Sequence, residues 1–240
     1  MKGSRLLPLF IASSALFAGC RLLGPDEAEL EVSSTEMFEV TPSNGVWDDE
    51  YGRTDDPSNC SFRFSVARRG DGVVLRVFVF DDRVVADDCR PGDVSAPTWN
   101  DDSLQCYFDG DFDKSPDSRE GNGPRYGGEY ALAVNGAAQS DYSSRPRAFG
   151  REWSGFASIV ENDEGKSGIR YSLWFSWASL GRVRPPAPDE DVTFGFNICV
   201  HDDDDGGRAD RALFWRGNPS MPYRDESCFG TITLKGRKTK

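Results

Sequence analysis

The chain has 240 residues and a formal net charge of −12 at pH 7, from 40 acidic and 28 basic side chains. An acidic surface of this size repels a phosphate backbone, so we expect no nucleic-acid partner. The single histidine, His201, lies in an acidic run with no nucleophile motif beside it, which argues against a Ser-His-Asp or Cys-His hydrolase.

The N-terminus has the pattern of an export signal. Lys2 and Arg5 accompany an apolar run that ends at Ala18 and is too short for a usual membrane span. Phe17-Ala18-Gly19-Cys20 resembles the lipobox of bacterial lipoproteins, in which the signal is removed before a cysteine that is then lipidated. We therefore predict a lipoprotein signal peptide over 1–19 and lipidation of Cys20. The alternative is an ordinary secretory signal with a chance cysteine, and both interpretations place the mature chain outside the cytoplasm, at the cell surface or in the periplasm.

Two further regions follow the signal. Residues 20–35 are polar and contain proline, which is typical of a tether between a lipid anchor and a folded domain. Residues 36–240 show no internal repeat and no change of composition, and they predict a single domain. If Cys20 carries lipid, five cysteines remain, at 60, 89, 106, 199 and 228. Because an exported protein can oxidise them, we expect one or two disulfides and a thiol left over.

The domain has the pattern of β-structure almost throughout. Alternating or β-branched runs separated by Gly, Pro, Asn and Asp clusters predict roughly ten strands. The runs lie at 61–66, 72–80, 103–108, 129–135, 156–161, 169–175, 193–200, 212–215 and 229–234. Arg69-Gly70-Asp71-Gly72 predicts a hairpin turn, and 176–181 predicts one short helical turn ended by Gly181. The fold class is therefore all-β, an antiparallel β-sandwich of jelly-roll or immunoglobulin-like type.

Three motifs occur in order along this β-rich region. They are Trp-x-x-Asp-Ser-Leu-x-x-x-x-Asp at 99–109, Gly-Phe-Asn-Ile at 195–198 and Tyr-Arg-Asp-x-x-x-Phe-Gly at 223–230. Together they resemble the family 9 carbohydrate-binding modules over about residues 60–235. The resemblance implies a β-sandwich with a sugar slot, and structural calcium.

The resemblance also implies which residues form the slot. Two aromatic rings, Trp99 and Tyr223, would stack on a sugar, whose apolar faces suit flat rings. Gln105, Asn135 and Arg224 would bond the sugar hydroxyls. Gln105 replaces the usual acid, and the arginine expected two positions before Asn135 is Ala133 here. The alternative for Trp99 is a loop aromatic packed under its own acidic loop, and Arg224 can equally be a structural partner of Asp225.

The acidic segment after the first motif is a candidate metal loop. Asp109, Asp111 and Asp113 lie two residues apart, followed by Asp117 and Glu120, which is the oxygen-ligand spacing of a calcium loop. Lys114 takes the place of the turn glycine, so the loop is not an EF-hand. The 202–207 run is a second acidic loop, and a solvated charge run is the alternative for both.

From these observations we predict a non-catalytic, lipid-anchored domain that binds a glycan or polysaccharide and supports carbohydrate catabolism. Its contact with a membrane would be through the N-terminal lipid only. The alternatives are a structural or adhesion sandwich with a degenerate slot, and a glycoside hydrolase-associated enzyme domain. Such an enzyme would need two carboxylates across a cleft, and 40 acidic residues make any pair in the sequence uninformative.

Overall fold

The computed structural model describes residues 37–115, 127–141, 147–161, 167–181, 184–220 and 225–237. The predicted signal peptide, Cys20 and the tether lie outside these residues, as do Tyr223 and Arg224. No helix in the described ranges has the length and apolar character that a membrane span requires.

The prediction of an all-β antiparallel sandwich is confirmed, and the described residues form twelve strands in two sheets. The strands are β1 (Phe38–Val40), β2 (Val46–Trp47), β3 (Ser61–Arg69), β4 (Gly72–Phe80), β5 (Ser103–Asp109), β6 (Gly128–Ala133), β7 (Ala138–Asp141), β8 (Trp153–Glu161), β9 (Ser167–Ser176), β10 (Val192–Asp202), β11 (Arg211–Phe214) and β12 (Gly230–Leu234). Nine of them match predicted runs. The other three, β1, β2 and β7, have two to four residues each and are too short to show an alternating pattern.

The smaller sheet has the strand order β1-β3-β4-β9-β8. Its centre is the predicted hairpin, in which β3 and β4 pair without a break from Ser61 opposite Phe80 to Arg69 opposite Gly72. The larger sheet has the order β2-β11-β10-β5-β6-β7, and β12 pairs with the first half of β10. The long strand β10 therefore pairs with three strands, β5, β11 and β12.

The core between the sheets is rich in aromatic rings. The ring of Phe108 lies 4.9–5.9 Å from four others, those of Tyr130, Phe175, Phe194 and Phe196. On β5, Leu104 and Cys106 join Phe108 in this core, as the period of two in a strand requires. Aromatic rings at these distances and tilted angles attract one another, so they favour a single arrangement of the two sheets.

The other face of the larger sheet is also covered, so every residue of β5 is buried. Two small apolar clusters lie on this face. One contains Tyr107, Cys199, Ala212, Phe214 and Phe229, and the other contains Cys89, Ala96, Ala133 and Ala137. Gln105 lies in register between Ala131 of β6 and Cys199 of β10, so a polar side chain separates the clusters.

The disulfide prediction requires correction. The five described cysteines are all free, and no disulfide joins them, contrary to the expected one or two. Four are buried, and they belong to three separate apolar clusters rather than to facing positions. The short helical turn predicted at 176–181 is present as consecutive i→i+3 turns, and it ends at Gly181 with φ 75°. Short 3-10 helices also occur at Thr98–Asn100 and Glu226–Cys228.

Candidate functional site

The long loop between β4 and β5 is folded by a buried carboxylate. Asp101 is fully buried, and its two oxygens accept hydrogen bonds of 2.9–3.1 Å from three backbone N–H groups, those of Asp87, Asp88 and Cys89. Charged acceptors of this kind order a loop strongly. Asp101 therefore holds the β4–β5 loop in place through hydrogen bonds to its backbone.

The neighbouring Asp102 connects the same loop to β10. Its carboxylate accepts from the backbone N–H of Val85 at 2.5 Å and of Asp203 at 2.8 Å. Burial, together with the nearby carboxylates of Asp81 and Asp202, raises the pKa of Asp102 to about 9. Asp101 and Asp102 thus position the turn that carries Trp99.

Trp99 lies at the rim of an open cavity of about 490 Å3 on the outer face of the larger sheet. It is 37% exposed, whereas the preceding Thr98 is fully buried and anchors the turn. The cavity lining combines aromatic, neutral polar and charged side chains. They are Tyr51, Trp99, Tyr107 and Phe214; Asn100, Gln105, Gln139 and His201; and Asp48, Glu50, Glu129 and Arg208.

Gln105 is buried and forms part of the cavity floor. Its Oε1 atom lies 2.5 Å from the hydroxyl of Tyr107 and 3.1 Å from Nε2 of His201. The other ring nitrogen of His201, Nδ1, is buried and has no hydrogen-bond partner in the described structure. Burial, aided by the positive charge of Arg208, lowers the pKa of His201 to about 3, so the ring is neutral near pH 7.

The residues beside Gln105 in the sheet are small. Across the sheet, Gln139 pairs with Ala131, Ala131 with Gln105, and Gln105 with Cys199. Ala131 and Cys199 are fully buried and place no bulky group over the floor. The Oε1 atom of Gln139 is buried without a partner among the described residues, so the floor also carries an unsatisfied acceptor.

Tyr51 is a cavity residue that the sequence did not indicate. It follows β2 and precedes the three motifs on which the resemblance rests. The guanidinium of Arg208 lies 4.5 Å from its ring centroid, and the ring of His201 lies 5.5 Å away in an edge-on arrangement. Arg208 also contacts Glu50 at 3.3 Å. The one sequence signal for Tyr51 was that it is an aromatic residue within an acidic segment, as Trp99 is.

The Ala133 side of the predicted slot is closed by the β4–β5 loop. Ala133 is fully buried against Cys89, Ala96 and Ala137, which occupy the space beside it. Asn135 donates from Nδ2 to the carbonyl of Cys89 at 2.9 Å and accepts at Oδ1 from the N–H of Ala137 at 2.9 Å. Asn135 is not among the cavity-lining residues.

The structure therefore places the five predicted sugar-binding residues differently. Trp99 and Gln105 line one cavity, Asn135 holds the adjacent loop, and Tyr223 and Arg224 lie outside the described residues. Asp225, the partner of Arg224 in the alternative interpretation, accepts a hydrogen bond from Ser227 Oγ at 2.5 Å.

The acidic end of β5 gathers carboxylates from two parts of the chain. Ligand oxygens of Asp109, Asp113 and Glu226 all lie within 4.8 Å of one another, and Asp111 is not in this set. Phe112 and Lys114 have φ of 58° and 53°, left-handed values that let the loop turn back. The N–H groups of Asp113 and Lys114 consequently donate to Asp109 at 3.2 Å each.

Glu226 completes this cluster and was not predicted. It is 1% exposed, and its Oε2 atom has no partner in the described structure. Burial first, and then the charge of Asp109 and its neighbours, raises the pKa of Glu226 to about 8. Burial also raises the pKa of Asp109 to about 6.

The second acidic loop, residues 202–207, forms ion pairs with an arginine side chain. Arg211 contacts Asp202 at 2.8 Å and Asp204 at 2.6 Å. Asp203 accepts from the N–H of Gly206 at 2.8 Å, which closes a turn. Ion pairing and turn formation account for these contacts of the 202–207 run.

The fold and the cavity together define a carbohydrate-binding β-sandwich. Sheets that support an exposed ring above fixed polar groups suit the apolar faces and hydroxyl rims of sugars. Residues 38–237 match the family described as carbohydrate family 9 binding domain-like. The chain belongs to this family of non-catalytic binding modules, which confirms the resemblance seen in the three motifs.

Solved structures share the fold. A family 9 carbohydrate-binding module from Caldicellulosiruptor kristjanssonii in complex with cellotriose has a TM-score of 0.54 and 15% identity, covering 81% of this chain and 83% of that one. The same description with glucose gives 0.57 and 16%, covering 82% and 88%. A Bacteroides uniformis protein described as carbohydrate-binding gives 0.51 and 14%, covering 83% and 86%. No curated protein matches the sequence.

Proposed function

We propose that the cavity between Trp99, Tyr51 and Gln105 binds a carbohydrate and holds it without catalysis. The observation that carries the proposal is the position of Trp99, a partly exposed ring at the rim of a cavity with a polar floor. A sugar ring stacked on Trp99 would place its hydroxyls within reach of polar side chains. The complexes of the two similar modules with cellotriose and glucose support a glucose-type ligand as the first probe.

A glycan array followed by calorimetry with cellotriose tests this function. Trp99→Ala is expected to lower the affinity at least about tenfold, equivalent to about 1.4 kcal/mol, and to leave the far-UV circular dichroism unchanged. Phe156→Ala is the matched control because Phe156 is 45% exposed on β8, in the other sheet. Equal affinity of the wild type and Trp99→Ala for every glycan that binds would refute the role of the cavity.

The same glycan-binding experiments also test a structural or adhesion role and a hydrolytic role. Failure of the wild type to retain any glycan would favour a degenerate slot. Release of reducing sugar from a bound glycan would favour a glycoside-active domain. We expect retention without release.

We also propose that the domain is lipid-anchored outside the cytoplasm and holds glycan for glycoside hydrolases carried by other chains. The lipobox-like Phe17-Ala18-Gly19-Cys20 and the polar segment 20–35 support this location. Cys20→Ser is expected to move the protein from the membrane fraction to the soluble extracytoplasmic fraction. Retention of the variant in the membrane fraction would contradict the anchor.

Finally, we propose structural calcium at Asp109, Asp113 and Glu226. Carboxylate oxygens are the ligands that Ca2+ prefers, and the unpartnered Oε2 of buried Glu226 fits a cation there. Bound calcium would offset the charge of acids that are costly to ionise in a buried position. Thermal unfolding with calcium and with a chelator provides the test, and identical transitions would argue against the ion.

A further inference from the structure

The carboxamide of Gln105 has a defined orientation. A carboxamide oxygen accepts hydrogen bonds and donates none. The contacts of Oε1 with the Tyr107 hydroxyl at 2.5 Å and with His201 Nε2 at 3.1 Å therefore require both neighbours to donate. These two donors use the acceptor capacity of Oε1. The –NH2 group of Gln105 bonds to no described residue, and Gln105 lines the cavity.

The same geometry assigns the proton on His201. Because Nε2 donates to Gln105, the neutral ring leaves Nδ1 without a proton. Nδ1 is buried and has no acceptor among the described residues, so a second proton there would be an unpaired buried donor.

The surroundings of His201 also disfavour the charged ring. In the sheet, His201 pairs with Ser103 of β5 and Ala212 of β11, which carry no charge. From the loops, it meets the edge of Tyr51 and the positive charge of Arg208. The neutral Nε2–H form is thus the one that fits.

We propose that His201 is a positioning residue for carbohydrate binding, which together with Tyr107 turns the –NH2 of Gln105 into the cavity as a double donor. This inference rests on the proposed function of the cavity. The ligand must then present an acceptor oxygen, from a hydroxyl or a ring ether, to Gln105. Glutamate at this position would present acceptors only, so the glutamine and the histidine form one functional unit.

Binding of cellotriose by the full chain, purified in detergent, tests the positioning role. Tyr107→Phe and His201→Leu each remove one donor and are expected to weaken binding at least about fivefold, about 1 kcal/mol, the usual worth of a hydrogen bond. His201→Gln restores an N–H donor and is expected to bind within about twofold of the wild type. Gln105→Glu is expected to weaken binding at least about tenfold, or about 1.4 kcal/mol, because it replaces donors by acceptors.

A spectroscopic arm needs no ligand. The chain has one histidine, so the two imidazole nitrogen signals in a 15N spectrum belong to His201 without further assignment. We expect a neutral ring protonated at Nε2 between pH 5 and pH 8. A ring protonated at Nδ1 would overturn the proposal whether or not a sugar binds.

The outcomes separate this proposal from the function on which it rests. If the wild type binds no glycan, the proposed function fails and the positioning role fails with it. If the wild type binds, Trp99→Ala abolishes binding, and His201→Leu and His201→Gln lose the same affinity, the carbohydrate site stands but His201 serves packing only. Unfolding in urea identifies any variant that has lost its fold. If the His201 variants unfold, Tyr107→Phe, which deletes one oxygen, decides: weaker cellotriose binding supports the positioning of Gln105, and wild-type affinity overturns it.

Discussion

Asn135 donates a hydrogen bond of 2.9 Å to the carbonyl of Cys89, and this bond connects the strand end after β6 to the loop after β4. The loop then packs on Ala133, at the position where the resemblance predicts an arginine. A bulky cation in this place would collide with the loop. The cavity lies on the side of Tyr51, from the segment after β2, and of Arg208, from the loop after β10.

Ala133→Arg tests this rearrangement. Because Ala133 is fully buried against the loop, the larger side chain is expected to lower the free energy of unfolding by about 1–3 kcal/mol or more. We expect no gain in cellotriose affinity. Urea unfolding and calorimetry measure the two effects. An arginine variant with wild-type stability and stronger binding would show that the loop leaves this side open.

Tyr51 is expected to act through its ring. Tyr51→Ala removes a cavity wall and the support of Arg208, and should weaken cellotriose binding about fivefold, or about 1 kcal/mol. Tyr51→Phe keeps the ring and is the matched control, with binding expected close to that of the wild type. Equal losses in both variants would assign the effect to the hydroxyl.

Asp101 is expected to control the position of Trp99 through the loop backbone. Asp101→Asn retains one acceptor oxygen and replaces the other by a donor, so at least one of its three backbone N–H groups loses its partner. A loss of about 1–3 kcal/mol in unfolding free energy follows, with weaker glycan binding. Asp93→Asn is the control, because Asp93 accepts from Ser95 in the same loop through Oδ1 alone. Similar stability for both variants would contradict the role of Asp101.

Glu226 gives the metal-free protein a defined pH dependence. Its pKa rises from 4.5 to about 8 on folding, so the folded state holds the proton more tightly than the unfolded state. This stabilisation is fully present below pH 4.5 and is lost as the pH rises through 8. In chelator, Glu226→Gln is therefore expected to be more stable than the wild type at pH 8 and similar to it near pH 4.5.

Calcium should reverse this ranking. If the ion binds at Asp109, Asp113 and Glu226, saturating calcium stabilises the wild type more than Glu226→Gln at pH 8. The free energy of unfolding in denaturant is measured for the wild type and Glu226→Gln at both pH values, with calcium and with chelator. A calcium shift of equal size in the wild type and the variant would place any ion elsewhere.

The fold class and most of the strands were predictable from the sequence, because alternation and turn residues are local signals. The hairpin of β3 and β4 is the clearest example, since Gly70 and Gly72 separate two long β-branched and aromatic runs. The family could be recognised for a similar reason: Trp99 and Gln105 keep their spacing along one turn and one strand. Both residues reach the cavity as that spacing suggests.

The composition of the site depended on the tertiary structure, because its contacts join residues far apart in the chain. Tyr51, Gln105 and His201 meet only after β10 pairs with β5 and the segment after β2 folds over them. Glu226 joins Asp109 across more than a hundred residues in the same way. The donor role of Gln105 was equally invisible in the sequence, since it follows from which atoms of Tyr107 and His201 face its oxygen. The sequence by itself determined the sandwich and one ring of the site, whereas long-range packing decided which polar groups surround that ring.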